Sequence, residues 1–406
     1  MSTTASPAPA AETTVRALLP AVLEVREGDG DELAVTDTLL TELTPLDDLD
    51  RLLEGLADLL AAASAPATRR AYAADWADFA RWSAEHHLEA LPASPMTVGL
   101  YLQARAEHLA LSSLLRRLAA IAVRHREARA PDPTRDPLVR TAVAGLRRTH
   151  PRRRPAGKRA LVSAQLSVIA AQLDARTHPF EPPAGGRARD AARAARRHQR
   201  AALAATRDRA LLLLGYAAAL RRSELVALTI GDVVEVPQGL QVHIAASKTD
   251  QTGIGVLVGI AHGHPAGTCA ASCPVRAVAD WRSALAAALG LAGPEDLPAD
   301  APLFRAIDRH GALGSPTGGP QAALTDRSVA RIVQDAVALL GDAEQFPPAA
   351  FGGHSLRAGL VTELASRRVP AADIMRQTRH SSHAMVMRYI RPATLFDNNP
   401  TTLLGL

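Results

Sequence analysis

Apolar positions along this chain recur mostly at the three- and four-residue spacing of amphipathic helices, and strict alternation is confined to one short region. Leu46, Leu49, Leu53, Leu56 and Leu60 form one helical stripe. The pattern continues through "ATRRAYAADWADFARWSAEHHL", "SPMTVGLYLQARAEH" and "SSLLRRLAAIAVRHREA", with Pro- or Ser-containing turns between them. Residues 149–160, "THPRRRPAGKRA", carry two prolines, a glycine and five cations, the composition of an extended linker lying near phosphates. Beyond it comes a helix at "SAQLSVIAAQLDA", then the Pro/Gly/Arg-rich "RTHPFEPPAGGRARDAARAARRHQR", read as a solvated insertion, then a helix at "ATRDRALLLLGYAAAL". Strand chemistry follows at "LQVHIAAS" and "GIGVLVGI", joined by the turn-like "KTDQTG", which puts Lys248 at a hairpin tip. Helices resume at "CPVRAVADWRSALAAALG". The predicted organisation is an acidic tail over 1–45, a helical module over 46–148, the basic linker over 149–160, a second domain over 161–395 and an irregular tail over 396–406.

Composition supports a mainly helical reading. Hydrophobic residues make up 47% of the 406 but aromatics only 3%, and the surplus is Ala, Leu and Val in helix-favouring mixtures. The net charge of +5 hides an asymmetry: residues 1–60 hold thirteen acids against three arginines, so the remainder carries +15. Such a basic body suits a polyanionic partner, most often nucleic acid. No apolar run approaches the roughly 18 residues of a membrane span, and the first residues lack the layout of a secretory signal. Two cysteines, Cys269 and Cys273, are too few for a disulfide framework, and the expected location is a reducing cytoplasm. These cysteines share "HGHPAGTCAASC" with His262 and His264, but the spacing matches no common structural zinc site and "PVRAVADW" reads as a helix start, so a turn without metal is expected.

Of the four tyrosines, Tyr72, Tyr101 and Tyr216 lie within apolar helical patterns, where packing accounts for them. Tyr389 differs in its neighbours. Upstream, "FPPAAFGGHSLRAGLVTELASRRVP" breaks with prolines and a glycine pair, then starts a helix on which His354 and Arg357 share a face. A second helix begins at Pro370, and Ser381 and Ser382 offer a cap for a third, with His380 at its entrance and Tyr389 near its far end. "HSLR" alone arises by chance in an Arg-rich chain. The ordered set is more specific: "ALRRSEL" with Arg221 and Glu224, Lys248 on its hairpin, "HSLR", "RHSS" with His380, then Tyr389 nine residues on.

With that set the sequence resembles the tyrosine site-specific recombinases, the phage-integrase family, and "HSLRAGLVTELASRRVPAADIMRQTRHSSHAMVMRYIRP" is particularly similar to the Cre-type members. The resemblance covers roughly residues 50–395, including "TRRAY" and "YLQAR". It implies a mainly α fold: an N-terminal core-binding (SAM-like) helical domain and an α-rich catalytic domain with a small antiparallel β-sheet, closing as a C-shaped clamp on duplex DNA. It also implies a homotetramer on two recombination sites, with the C-terminal tail docking on a neighbour, accessory proteins in some systems, and no cofactor. Two departures bear on turn geometry: many members have glycine where this chain has Ala219 and Arg379.

The chemistry of phosphoryl transfer explains the residue types. Charge spreads over the non-bridging oxygens of the transferring phosphoryl, and the planar forks of Arg221 and Arg357 suit those oxygens. A phenol is a poor nucleophile at neutral pH, and His354 is the expected acceptor of the Tyr389 proton. The departing 5′ oxygen needs a proton, which Lys248 can release where an arginine cannot. His380 reads as a hydrogen-bond donor to the phosphate and Glu224 as the partner that orients Arg221. In the N-terminal module Arg69, Arg70, Arg116 and Arg124 are candidates for DNA phosphates, although arginine-bearing helix faces are commonly just solvated. Two other readings stay open: a type IB topoisomerase, and a catalytically silent DNA-binding scaffold.

Overall fold

A computed structural model describes residues 66–149, 158–181, 188–245, 255–262, 269–308, 311–314, 323–380, 382–393 and 401. The leucine stripe over 46–60, residues 150–157 of the basic segment, Lys248 and most of the C-terminal tail lie outside them. The chain divides into two compact units, Met1–Arg153 and Arg154–Leu406.

The first unit holds four described helices: α1 (Pro66–Glu85), α2 (Pro95–Ala106), α3 (Leu111–Glu127) and α4 (Pro137–Thr149). Proline opens α2 and α4, where its missing N–H costs nothing, and Ser94 caps α2 by accepting from the Thr97 N–H at 3.0 Å. Phe79 and Trp82 of α1, Tyr101 and Leu102 of α2, Ile121 of α3 and Val139 of α4 form a shared apolar core. A buried histidine inside it is fully satisfied. His125 Nδ1–H donates to the Ile121 carbonyl at 2.8 Å, which leaves Nε2 to accept from the Ala93 N–H at 2.9 Å.

In the second unit, α5 (Ser163–Ala175), the long α6 (Ala188–Ala217), α7 (Arg222–Ala227), α8 (Pro274–Leu289) and α9 (Asp326–Ala338) precede three helices that carry the C-terminal motifs: α10 (His354–Ser366), α11 (Ala371–Thr378) and α12 (His383–Ala393). Helix α6 packs against α5, α8 and α10, and α10 in turn meets α11 and α12. The core joins Leu211, Leu214, Trp281, Leu303, Phe304 and Phe351, among others. Three strands, β1 (Val233–Val236), β2 (Gly239–Ile244) and β3 (Val256–Ala261), form an antiparallel meander in the order β1-β2-β3. Leu240, Val242 and Ile244 alternate inward on β2 while Gln241 and His243 face out, the period-2 pattern of a one-sided sheet. Among the described residues, no helix is long and apolar enough to cross a membrane.

Two local expectations are corrected. Residues 188–200, read with the preceding prolines and glycines as a solvated insertion, are the first turns of α6. After Gly186 the run to residue 200 is mostly Ala and Arg, both strong helix formers, and holds no Gly or Pro. Strand β1 was absent from the expected hairpin: it is only four residues long, and its pairing with β2 rather than its own pattern makes it a strand.

Helix α10 is held by the chain that enters the second unit. The Arg159 N–H donates to the Ala350 carbonyl at 2.9 Å and the Leu161 N–H to the Ser355 carbonyl at 3.1 Å. Leu161 crosses α10 so closely that a Cβ on Gly359 would stand 1.9 Å from its carbonyl oxygen. Glu363, one turn on, accepts from the Ser163 N–H at 2.8 Å, from Ser163 Oγ at 2.6 Å and from the Tyr216 hydroxyl at 2.5 Å. Gly359→Ala is therefore expected to lower stability by about 2–3 kcal/mol through overpacking against rigid backbone, measured by denaturant unfolding. A change below ~0.5 kcal/mol would show that this crossing yields easily.

Candidate active site

Glycines 352 and 353 end the preceding segment and let α10 begin at His354. The Ser355 side chain accepts from the Gly352 N–H at 3.0 Å, and a side chain at 353 would run into Arg222, whose Cγ lies 2.3 Å from the position a Cβ would take. The missing side chain thus brings "HSLR" against "RRSEL". His354 stays exposed, whereas Arg357, three residues on, is 2% exposed.

Helix α12 returns the chain so that Tyr389 faces this corner. Its hydroxyl is 2.7 Å from His354 Nε2, and its ring lies between two imidazoles, 6.3 Å from that of His354 and 6.2 Å from that of His380. The ring edge packs beside Val361, Ile374 and Val386. The other two phenols with described partners are engaged differently. Tyr216 is tied to Glu363, and Tyr101 to Asp78 and Arg117, with burial pushing the Tyr101 hydroxyl up to about 12. Burial also pushes the Tyr389 hydroxyl up, but here the positive charges of Arg357 and Arg388 pull the other way. His354 is held below its ordinary value by the protein packed around its ring and then by Arg357, Arg222 and Arg221. It is therefore neutral at pH 7, with a lone pair to offer.

Arg357 Nη1 donates to the Ala219 carbonyl at 2.7 Å, and its Nη2 is buried with no hydrogen-bond partner among the described residues. Burial, then repulsion from Arg221 and Arg379, lowers its pKa to about 10. Arg221 caps α7, and Glu224 accepts both from its backbone N–H at 2.9 Å and from its guanidinium. Burial alone would raise the Glu224 carboxyl. The Arg221 N–H, Arg379 and the Arg221 guanidinium outweigh it and keep the carboxylate ionised below the ordinary range.

A residue that sequence reasoning left without a role completes the frame. Arg379 and Ala219 both adopt left-handed backbone, with φ of 56° and 48°. That conformation costs a non-glycine residue on the order of 1 kcal/mol. The Arg379 side chain offsets the cost by bridging both corners. It donates to the Ala218 carbonyl at 2.9 Å and the Ala219 carbonyl at 3.2 Å, and pairs with Glu224 at 2.8 Å. One hundred and fifty-five positions separate Arg379 from Glu224, so only its place before His380 could have drawn attention to it.

His380 follows Arg379 and is 7% exposed. The Thr378 hydroxyl lies 2.6 Å from both the Ile374 carbonyl and His380 Nδ1. The single hydroxyl proton must go to the carbonyl, which cannot donate, so His380 Nδ1–H is the donor to Thr378 and Nε2 carries the lone pair. Burial, then Arg357, Arg221, His354 and Arg379, lower its pKa to about 4. The free protein thus presents a neutral ring at pH 7, and donation from Nε2 to a phosphate requires proton uptake, which an arriving anion favours.

Both histidines titrate lower in the folded chain than in the unfolded one, where 6.5 is the ordinary value. Their contribution to stability is complete above that value and is lost as pH falls toward about 4, because the unfolded chain takes up protons first. Glu363, at about 2, adds its own loss below its ordinary 4.5. His380→Gln is expected to remove about 2 kcal/mol of the decline between pH 6.5 and 4.5, read from urea unfolding at several pH values. An unchanged slope would show that the folded ring titrates normally.

The arginines proposed for DNA contact occupy a different setting. Arg69 and Arg70 are exposed near the start of α1. Arg116 grips buried Asp75 through Nε at 2.7 Å and Nη2 at 3.1 Å, and Arg124 pairs with Glu127 at 3.3 Å, so both already have carboxylate partners. Lys248 lies in the connection between β2 and β3, outside the described residues.

No protein-family model matches the chain. It is 34% identical over 338 residues to an integrase/recombinase xerD homolog of Selenomonas ruminantium, covering 82% of this chain and 83% of that protein. Among solved structures it is similar to XerH site-specific recombinase bound to difH substrate in a pre-cleavage complex, at 14% identity and a TM-score of 0.47, covering 97% of this chain and 94% of that one. A lambda integrase dimer bound to a COC′ core site matches at 14% identity and a TM-score of 0.39 over 73% of this chain and 79% of that one. By its identity to the xerD homolog across most of both sequences, the chain belongs to the tyrosine site-specific recombinase, or phage integrase, family.

Proposed function

We propose that this recombinase cuts and rejoins duplex DNA at specific sites through a covalent bond between Tyr389 and a 3′ phosphate. The observation that carries the reading is the 2.7 Å contact between the Tyr389 hydroxyl and a neutral His354 nitrogen, beside two arginines. In the forward step the Tyr389 oxygen attacks the scissile phosphorus and the bond to the 5′ oxygen breaks. The phenolic proton passes to His354, and the 5′ oxygen takes a proton from Lys248. Arg221 and Arg357 hold the non-bridging oxygens, and His380, once protonated, donates to one of them. Glu224 and Arg379 act through Arg221, by fixing its backbone corner. The phosphotyrosyl ester keeps the energy of the broken phosphodiester, so rejoining to a 5′ hydroxyl requires neither ATP nor a metal ion.

Double-stranded DNA is the partner, which agrees with the +15 charge beyond residue 60. Four copies pair two sites, with accessory proteins in reserve. Arg69, Arg70, Arg116 and Arg124, all exposed, are the candidates for phosphate contact in the N-terminal unit.

The test begins with DNA selected by binding to the full chain, sequenced and rebuilt as a nicked suicide substrate. A denaturant-resistant protein–DNA adduct whose linked peptide contains Tyr389 is expected. An adduct mapped to another residue, or none on DNA that is bound specifically, would overturn the reading.

A further inference from the structure

The connection from β3 to α8 gathers three side chains of types that can ligate a metal and that the proposed cleavage does not use. His262 directly follows β3, Cys273 immediately precedes Pro274 at the head of α8, and Cys269 lies between them. A ring nitrogen of His262 and the two sulfurs all lie within 4.8 Å of one another. Neither cysteine is in a disulfide, and Cys273 is 2% exposed. His262 Nδ1 is closed off from solvent and has no hydrogen-bond partner among the described residues. A buried nitrogen in that state is normally satisfied by something.

Tetrahedral zinc, with sulfur at about 2.3 Å and nitrogen at about 2.0–2.1 Å, sets its donors about 3.5–3.8 Å apart. The observed spacing closes to that value with side-chain movements of about 1 Å. We propose that His262, Cys269 and Cys273 bind one structural zinc ion. Spacing along the chain conceals the site, since the histidine comes from the end of a strand and the cysteines from the turn that leads into a helix. Two thiolates and an imidazole are a soft donor set that suits zinc and disfavours magnesium or calcium. On binding, each cysteine gives up its thiol proton to solvent. The two thiolates then balance the charge of the ion, so the neutral assembly sits beside the apolar core that Cys273 enters. The fourth position falls to a ligand that the described residues do not supply. A hydrogen-bonded thiol pair or a Cys269–Cys273 disulfide would account for the sulfurs but would leave His262 Nδ1 unexplained.

The ion would fasten the end of β3 to the head of α8. The inference does not depend on how Tyr389 reacts.

The experiment uses the full chain, without a polyhistidine tag, purified in a phosphine reductant with no added metal. Mass-spectrometric metal analysis is expected to give about one zinc per chain, falling to background in Cys269→Ser and in His262→Ala. Because such variants can fail to fold, the native protein is also loaded with cobalt(II). Tetrahedral ligand-field bands with a sulfur-to-cobalt charge-transfer band are expected. Background zinc in the folded native chain, octahedral cobalt spectra, or an intact mass two hydrogens light from a Cys269–Cys273 disulfide would each overturn the proposal.

Discussion

Tyr389→Phe abolishes the covalent DNA adduct and leaves DNA binding unchanged: this is the expected result with the largest effect. The substitution removes one oxygen and keeps the ring against Val361, Ile374 and Val386. The lost hydrogen bond to exposed His354 costs the fold at most about 1 kcal/mol. Cleavage, by contrast, should fall by on the order of 10⁴-fold or more, the scale seen when a covalent nucleophile is deleted. Gel-shift affinity and adduct yield on the same suicide substrate separate the two effects. Residual adduct formation within tenfold of the native rate would mean that another group attacks the phosphorus.

Arg357→Met should destroy activity while making the DNA-free protein more stable. Arg357 is buried in like charge: Arg221 and Arg379 repel it, and one of its amino groups has no partner among the described residues. In the proposed mechanism a phosphate would supply what is missing, so that the side chain is held ready at the expense of the free fold. Methionine fills similar volume without the charge. The Ala219 carbonyl would lose its bond from Arg357 but keep the one from Arg379 at 3.2 Å. A gain of about 1–3 kcal/mol in unfolding free energy is expected, together with a loss of about 10³-fold in cleavage. Arg357→Lys should lose nearly as much activity, because a point charge does not reproduce the fork. A variant both inactive and much less stable would mean that the guanidinium is a framework residue.

What the sequence revealed of this site depended on how locally each feature was encoded. The three C-terminal helices were legible because prolines and a glycine pair punctuate them, and the i, i+3 spacing of His354 and Arg357 needs only one helix to acquire meaning. The tautomer of His380 was not legible: it depends on where one threonine proton goes, and the Ile374 carbonyl that takes it is placed by the turn of α11. Arg379 looked like a departure in a glycine position. Its compensation is a carboxylate far away in the chain, and local propensity holds no information about such a partner. Arg116 shows the same dependence on a distant partner. This exposed cation on α3 also clamps Asp75, buried at 4% exposure and 41 positions earlier, and that pairing exists only once α1 and α3 are packed. The first turns of α6 were misread because Pro182, Pro183, Gly185 and Gly186 weigh on any window that includes them, although the helix starts just beyond.

The backbone that crosses Gly359 also decides how this enzyme can be dissected. A fragment cut at Ser163 would include every side chain proposed to act on the scissile phosphate. It would nonetheless lack the stretch from Arg159 to Leu161 that donates to Ala350 and Ser355 and roofs the central glycine of α10. The smallest autonomous catalytic piece is thus longer at its leading edge than its chemistry requires, and an inactive truncation there would report a missing roof and leave the reactive groups blameless.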